Sequence, residues 1–333
     1  MLAKTRLRLA LVSAVGVGTT ALLATYAGLG AISDALDDVG WLGIAWVCML
    51  QLGSLILCAA AWKLTADGAS FLSCLTARCI RDGVSNLAGI IPAAGEVAGA
   101  RALSLLGPRA SVSAASTVVD VVLESLSQAI YTIVGLIPLL FLVGRDEATR
   151  WLTAIAVAIV PIFAAFIITR HRGALEAAER MFIRIASTLG FAKAGSDLDL
   201  ARNVLDLYQR RHRIWLAMLL HLAGWLMGAV QVWAAAQAME RPLSPAEALA
   251  LESIVYAARG AFFFVPWGAG IQEGTFVLVG VVLGIDPAVA VALSLILRAR
   301  DIIIGVPAMV VWYTVEGRQR WLKRVRVVST REQ

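Results

Sequence analysis

Long apolar runs separated by short polar turns dominate the chain. Runs of about 20 residues recur, which is the length an α-helix needs to cross a hydrocarbon core of roughly 30 Å. They lack the two-residue alternation of a membrane β-strand. The runs predict crossings at residues 9–30, 39–62, 112–143, 151–169, 214–239 and 288–313. We therefore expect an all-α, polytopic integral membrane protein with about six transmembrane helices, forming a single membrane domain over residues 1–333.

Two further apolar regions, residues 70–108 and 245–284, are interrupted by proline, glycine and charged residues. Each contains a stretch of the same character, I-P-A-A-G-E-V-A-G-A-R at 91–101 and V-P-W-G-A-G-I-Q-E-G at 265–274. Charges at the bilayer centre are costly, and the helical piece after the first stretch is too short for a full crossing. We interpret both regions as re-entrant helical hairpins. Their predicted hinge residues are Pro92, Gly95, Pro266, Gly268 and Gly270.

The two interrupted regions also resemble each other in spacing. A shift of 177 positions places Glu96 on Glu273 and Glu124 on Asp301, and each glutamate follows a cluster of proline and glycine. Because three predicted crossings separate the copies, they would have opposite orientations in the membrane. Inverted repeats with interrupted helices indicate a midplane substrate site in transporters. We predict an inverted repeat with copies at about 70–143 and 245–313.

Composition and charge placement agree with the membrane assignment. Hydrophobic residues make up 59% of the chain and charged residues 16%, with a mean hydropathy of +0.79, which excludes an ordinary soluble domain. Basic residues are concentrated at the N-terminus, in an amphipathic segment at 170–213 and in a tail at 316–333. Because Lys and Arg favour the cytoplasmic side, we predict that these segments and both termini are cytoplasmic. No nucleic-acid-binding motif accompanies the net charge of +6, so we expect no nucleic-acid partner.

The sequence offers little support for a metal centre or for hydrolytic chemistry. The four cysteines and three histidines lack the spacing of metal ligands. Neither a phosphate-binding loop of the G-x-x-x-x-G-K-[ST] type nor a G-x-S-x-G nucleophile elbow occurs. We therefore expect no metal, no cofactor and no enzymatic activity.

The acids and arginines inside the predicted membrane region are the candidate substrate-binding residues. A carboxylate or a lipid phosphate is favoured at a helix N-terminus, and a guanidinium binds phosphate through two hydrogen bonds. Structural roles are the alternative, with each glutamate capping its helix or pairing with an arginine, Glu96 with Arg101 or Arg81. The candidates are Arg81, Glu96, Arg101, Asp120, Glu124, Arg259, Trp267, Gln272, Glu273, Arg298, Arg300 and Asp301.

Two motifs carry a family resemblance. P-W-G-A-G-I-Q-E-G at 266–274 resembles the P-G-G-x-G-x-R-E-G signature of the membrane domain of lysylphosphatidylglycerol synthases and their flippase-like relatives. G-E-V-A-G-A-R at 95–101, followed by A-S-T-V-V-D-V-V-L-E at 115–124, is similar to the branch associated with hopanoid biosynthesis. Trp267 stands where the signature has glycine, and Gln272 where relatives often have arginine. We expect these two positions to influence the choice of head group.

The resemblance implies a lipid translocase of the bacterial inner (cytoplasmic) membrane, with membrane lipids as its partners. Its cargo would be a polar-headed lipid, a hopanoid or an anionic phospholipid, which crosses through an intramembrane polar cleft. The chain ends at Gln333, shortly after the last predicted crossing, so we do not expect the aminoacyl-transfer activity of the synthases. The alternatives are a membrane enzyme, or an accessory or scaffold subunit that binds enzymes of hopanoid or other lipid biosynthesis.

Overall fold

The computed structural model describes residues 29–87, 93–142, 150, 200–262 and 265–329. The predicted crossings at 9–30 and 151–169 lie almost wholly outside this part, as do Pro92 and most of the amphipathic segment 170–213. Within the described residues all regular structure is helical and no strand occurs, which confirms the all-α class.

Nine α-helices follow one another in the described part of the chain. They are α1 (Leu29–Thr65), α2 (Phe71–Leu87), α3 (Ala94–Leu105), α4 (Ala110–Leu142), α5 (Leu200–Tyr208), α6 (Arg211–Ala238), α7 (Pro245–Ala261), α8 (Ile271–Val282) and α9 (Pro287–Ser329). A short 3₁₀ turn, Pro266–Gly268, lies between α7 and α8. Gly40 interrupts α1 with a φ of 55° and a ψ of 178°, a conformation open to glycine because it has no Cβ.

Three of the helical stretches are long and apolar enough to cross a membrane, namely Asp37–Thr65, Ala110–Leu142 and Arg211–Ala238. Large apolar side chains such as Trp41 and Phe141 are strongly exposed on their outer faces. Such faces would be unfavourable in water and are favourable against lipid tails. The helical class and these apolar faces are those of a multi-pass membrane protein. The total of six crossings and the re-entrant form of the hairpins stay predictions.

The two predicted hairpins have matching helices. Helices α2 and α7 each contain 17 residues, and helices α3 and α8 each contain 12. The residues that precede the short helices, Ala93 and Gly270, are 177 positions apart and both have left-handed backbone angles, with φ of 62° and 77°. The long helices α4 and α9 begin at positions with the same offset. The duplication predicted from spacing therefore extends to helix lengths and to the backbone at each break.

Packing between the repeats is reciprocal. Helix α2 packs against α9 of the second copy, and α7 packs against α4 of the first. At the first contact, a Cβ added to Gly83 would lie 3.1 Å from the carbonyl oxygen of Gly305; at the second, one added to Gly260 would lie 3.2 Å from Nε2 of Gln128. The shift of 177 positions relates these two contacts to each other. Small residues let membrane helices approach closely in this way. Because each copy packs against the long helix of the other, the polar faces of both copies point toward the space between them.

The buried core surrounds that centre in three clusters. The largest joins α7, α8 and the first half of α9 to the end of α6. A second joins α1 to the first hairpin around the buried Trp62. A third joins the start of α4 to α5 and α6. The apolar packing therefore lies around the hairpins and leaves the charged faces of α2, α4, α7 and α9 turned toward a shared space.

Candidate functional site

A cavity of about 960 Å³ occupies the space between the two copies. Helices α1, α2, α3, α4, α6, α7 and α9 supply its walls, α3 with its first turn at Gly95 and Glu96, and the break before α8 opens into it at Gly268. Its size is at the upper end of the range for small-molecule sites. Polar and charged side chains line much of it, and in a membrane protein such a lining marks a substrate path or a relay of charge.

One wall of the cavity is a buried ion-pair network, which we name the first arginine network: Arg78, Arg81, Asp82, Asp120 and Glu124. Arg78 donates from Nη2 to Glu124 Oε1 at 2.5 Å and from Nε to Asp82 at 3.1 Å. Arg81 donates to Asp120 at 2.9 Å and to Glu124 Oε2 at 2.7 Å. The four-residue spacing of Asp120 and Glu124 puts both acids on one face of α4. The network ties α2 to α4 and satisfies charges that would otherwise be too costly to bury.

His221 extends this network to α6. Its Nε2 lies 2.9 Å from Asp120 Oδ1, and both side chains are fully buried. On the neighbouring turn, the Trp225 indole donates to the Glu124 backbone oxygen at 3.1 Å. These contacts hold α6 against α4 and place the indole at the cavity edge.

A second ion pair shapes the break before α8. Arg298 donates from Nε to Glu273 Oε1 at 2.9 Å, and its other nitrogens donate to the backbone oxygens of Trp267 at 2.5 Å and Gly268 at 3.1 Å. Glu273 Oε2 in turn accepts from the Gly270 amide at 2.9 Å. In the described part of the chain, these hydrogen bonds of Glu273 and Arg298 join the two side chains to each other or to the backbone of the turn. The helix-capping alternative considered from the sequence describes Glu273 well.

Trp267 lies in this turn with a positive φ of 58°. A side chain in the left-handed region is strained and glycine is not, which gives a physical reason for glycine at this position in the family signature. The Trp267 indole donates to the backbone oxygen of Leu87 at 3.1 Å, so it links the second hairpin to the end of α2. Its ring also lines the cavity.

Arg300 on α9 and Arg259 on α7 line the cavity from the second copy. Arg300 pairs with Asp301 at 2.7 Å and donates to Gln231, which itself donates to Gln51 at 3.1 Å. Arg259 instead donates to two neutral amide oxygens, Gln272 Oε1 at 3.0 Å and Asn86 Oδ1 at 3.4 Å.

In the described part of the chain Arg259 has no carboxylate within 4.0 Å, unlike the other three arginines of the cavity wall, Arg78, Arg81 and Arg300. Its guanidinium carbon lies 5.6 Å from the centre of the Tyr256 ring, a distance at which a cation–π contact contributes. The arginine is therefore fixed in position by neutral partners, and its charge remains available to an anion in the cavity.

The equivalent glutamates of the two copies have different surroundings. The Glu96 side chain is 29% exposed, lines the cavity and lies 3.6 Å from Arg81 Nη2. The Glu273 side chain is 2% exposed and closed against Arg298. Equivalent positions thus serve the cavity in one copy and the backbone turn in the other.

The structure brings seven of the twelve predicted binding residues to the cavity wall: Arg81, Glu96, Glu124, Arg259, Trp267, Arg300 and Asp301. Behind the wall lie Asp120, Gln272, Glu273 and Arg298, of which Asp120 holds Arg81, Gln272 holds Arg259, and the Glu273–Arg298 pair holds the turn at Trp267. Arg101 is elsewhere, paired with Glu316 at 3.3 Å. Of the predicted hinge residues, Gly95 and Gly268 line the cavity and Gly270 has the left-handed backbone of the α8 break. The binding role of each residue stays a prediction.

Sequence reasoning missed several residues of the cavity. Arg78 is three positions before Arg81 and therefore on the same helical face, a signal that could have found it. Gln51 is a polar residue inside an apolar crossing, and Asn86 is close to the end of α2. For Tyr256, whose ring stands under Arg259, the sequence carries no comparable signal.

Cys58, Glu124 and His221 offer three ligand atoms within 4.8 Å of one another. Both oxygens of Glu124 already accept hydrogen bonds from arginines. A cation bound there would lie against two guanidinium groups and would displace them, which opposes metal binding at this cluster.

Comparison with known proteins identifies the family. The family model described as the lysylphosphatidylglycerol synthase TM region matches residues 8–308. A search of curated proteins and a search of solved structures gave no significant match. The match covers both hairpins and the whole cavity wall. The chain therefore belongs to the lysylphosphatidylglycerol synthase transmembrane-region family.

Proposed function

We propose that the protein is a flippase-like lipid translocase whose cavity carries the head group of a phosphate-bearing anionic lipid between leaflets. The single observation that supports this most is Arg259, a cavity-lining arginine whose hydrogen-bond partners are neutral. Guanidinium and phosphate form strong, two-point hydrogen bonds in a dehydrated site. The family match supports a lipid-related function, and the proposal adds the movement of the lipid.

The partly exposed carboxylates of the cavity suit the remaining part of the head group. Glu96 is partly exposed to the cavity, and Asp82 is also partly exposed beside Arg78. Carboxylates accept hydrogen bonds from hydroxyl or amino groups. A head group that carries both a phosphate and hydroxyl or amino groups would be complementary to Arg259 and to these carboxylates, while its acyl chains stay in hydrocarbon.

In this proposal the protein acts by transport and without chemical change to the lipid, in the bacterial inner membrane, with six crossings and two oppositely oriented hairpins. A hopanoid is the alternative cargo, supported by the motif at 95–101. An enzyme of lipid biosynthesis would leave an altered lipid, and a scaffold would move none. Mass spectrometry of the lipid after incubation separates the first of these from a translocase.

Purified protein in liposomes with a labelled anionic phospholipid tests the proposal. Wild-type protein is expected to move the label between leaflets, and Arg259→Gln to slow this movement at least about tenfold, the effect of losing one charge-assisted interaction worth roughly 1.4 kcal/mol or more. Arg210→Gln is a matched control because Arg210 pairs with Asp67 on an exposed surface. A labelled hopanoid and a labelled neutral lipid complete the panel. A wild-type protein that moves none of these lipids contradicts the proposal.

A further inference from the structure

Glu252 is a buried acid that the cavity does not use directly. It is on α7, and the residue is 1% exposed. Its Oε2 has no hydrogen-bond partner in the described part of the chain, and no arginine or lysine nitrogen lies within 4.0 Å there. Every carboxylate of the first arginine network, by contrast, has an arginine partner.

Glu252 lies directly behind the cavity wall. A Cβ added to Gly228, which lines the cavity, would be 3.4 Å from Glu252 Oε1 and 3.5 Å from Cε2 of Tyr256. Gly228, which has no side chain, and the Tyr256 ring line the cavity next to the carboxyl group at this point. Water in the cavity can therefore exchange a proton with Glu252 through a short path.

An unpaired carboxylate buried in an apolar membrane domain is costly when ionised. Protonation removes this cost, and a positive field offsets it. The charged groups that act on Glu252 are Arg300 and Asp301 from α9 and Arg259 from its own helix. Tyr131 from α4 and Tyr256 are its titratable neighbours. Helix α6 presents Gly228, and the Glu273–Arg298 pair of α8 and α9 is neutralised internally.

We propose that Glu252 is a proton-binding site coupled to the anion site at Arg259, so that an anionic head group enters the cavity together with one proton. The proposal rests on the function proposed above. When a phosphate binds Arg259, it cancels the part of the positive field at Glu252 that Arg259 supplies, while Arg300 remains paired with Asp301. Glu252 then takes a proton from cavity water, and it returns that proton to water when the phosphate leaves. Lipid and proton cross together, and a pH gradient can drive the lipid.

Linkage gives the coupling a definite sign. Because anion binding favours the protonated acid, protonation must favour anion binding by the same factor. Wild-type protein should therefore bind an anionic lipid more tightly at acidic than at alkaline pH. Glu252→Gln imitates the protonated acid, so its affinity should be high and nearly independent of pH.

Phosphatidylglycerol in mixed detergent micelles is the binding probe, with affinity measured at acidic and alkaline pH. We expect the wild-type affinity to change by about 5- to 150-fold, the usual range for coupled sites, and Glu252→Gln to show less than about a twofold change. Glu247→Gln is the matched control on the same helix, since Glu247 caps α7 at its surface end and glutamine retains the cap. Infrared difference spectra add a second measurement: lipid binding to wild-type protein at alkaline pH should produce the carbonyl band of a protonated carboxyl group, which is distinguished from the lipid ester carbonyls by its shift in D₂O and by its absence from Glu252→Gln.

Each outcome is informative. Binding with equal affinity at both pH values, without the infrared band, overturns the coupling and leaves the proposed function standing. A pH dependence that persists in Glu252→Gln assigns the proton to another group and also overturns the proposal. Wild-type protein that binds no phosphatidylglycerol at either pH overturns the proposed function together with the coupling.

Discussion

Replacing Glu124 by glutamine removes the carboxylate that Arg78 and Arg81 share. In the variant Arg78 retains Asp82 at 3.1 Å and Arg81 retains Asp120 at 2.9 Å. The amide oxygen can still accept from one guanidinium, but the amide nitrogen faces the other as a second donor. The change keeps the volume of the side chain, so its effect reports on charge and hydrogen bonding.

The expected loss of unfolding free energy follows from these contacts. Two charge-assisted hydrogen bonds, at 2.5 and 2.7 Å, are weakened or lost, and each contributes about 1.5–3 kcal/mol. Breaking a buried ion pair from one side costs about 3–5 kcal/mol in other proteins. Because the Glu124 side chain is 11% exposed at the cavity, water screens part of the interaction. We therefore expect a loss near the lower limit, about 3 kcal/mol.

Asp67→Asn is the control, since Asp67 also accepts from two arginines, Arg210 at 2.5 Å and Arg213 at 3.1 Å. The Asp67 side chain is 47% exposed, so the loss should be about 1 kcal/mol or less. Unfolding in mixed micelles by added dodecyl sulfate, followed by tryptophan fluorescence, measures both. Equal losses for the two variants would refute the reasoning that burial makes the first arginine network more costly to break than an exposed ion pair.

Three further changes test other parts of the account. Gly95→Ala places a Cβ 1.9 Å from Ser85 Oγ, so the free energy of unfolding should fall by about 1–3 kcal/mol. The control Gly317→Ala adds a Cβ that meets no atom within 4 Å, so its free energy of unfolding should not fall. Similar losses in the two variants would contradict the close packing at Gly95. Trp267→Gly removes the strain of a side chain at positive φ and also removes a large ring from the cavity wall, so the selectivity for lipids in liposomes should broaden. Unchanged selectivity argues against a role of Trp267 in cargo choice. A single cysteine at Leu105 should react only with reagent on the cytoplasmic side; reaction from outside rules out a re-entrant first hairpin.

The helices of the described chain were largely predictable because apolar runs, prolines and glycines mark their limits. The predicted crossing at 112–143 corresponds to α4, Ala110–Leu142, and the equal spacing of the two copies reappears in their helix lengths. The packing of α2 on α9 was not predictable. It depends on close contacts such as Gly83 with Gly305, which are far apart in sequence and carry no local signal.

The site was predictable as a set of residues but not as a set of pairs. Charges inside apolar sequence indicate a polar interior, since lipid does not tolerate them. Glu96 and Glu273 occupy equivalent positions in the sequence pattern. In the structure, however, Glu96 is partly open to the cavity and Glu273 is closed against Arg298. This difference depends on which helix faces meet, and the sequence pattern does not contain that information. Arg101 shows the same limit, because its partner Glu316 is 215 positions away.

Photocrosslinking measures most directly whether a lipid head group occupies the cavity. An anionic phospholipid with a photoreactive group on its head group is incorporated into membranes that contain the wild-type protein, and labelled peptides are identified by mass spectrometry. The account predicts labels in α7 near Arg259 and in α2 near Asn86, the two helices that meet at the anion site, with loss of the α7 label in Arg259→Gln. Labels confined to the outer face of α1 around Trp41 and Trp46 would contradict the account.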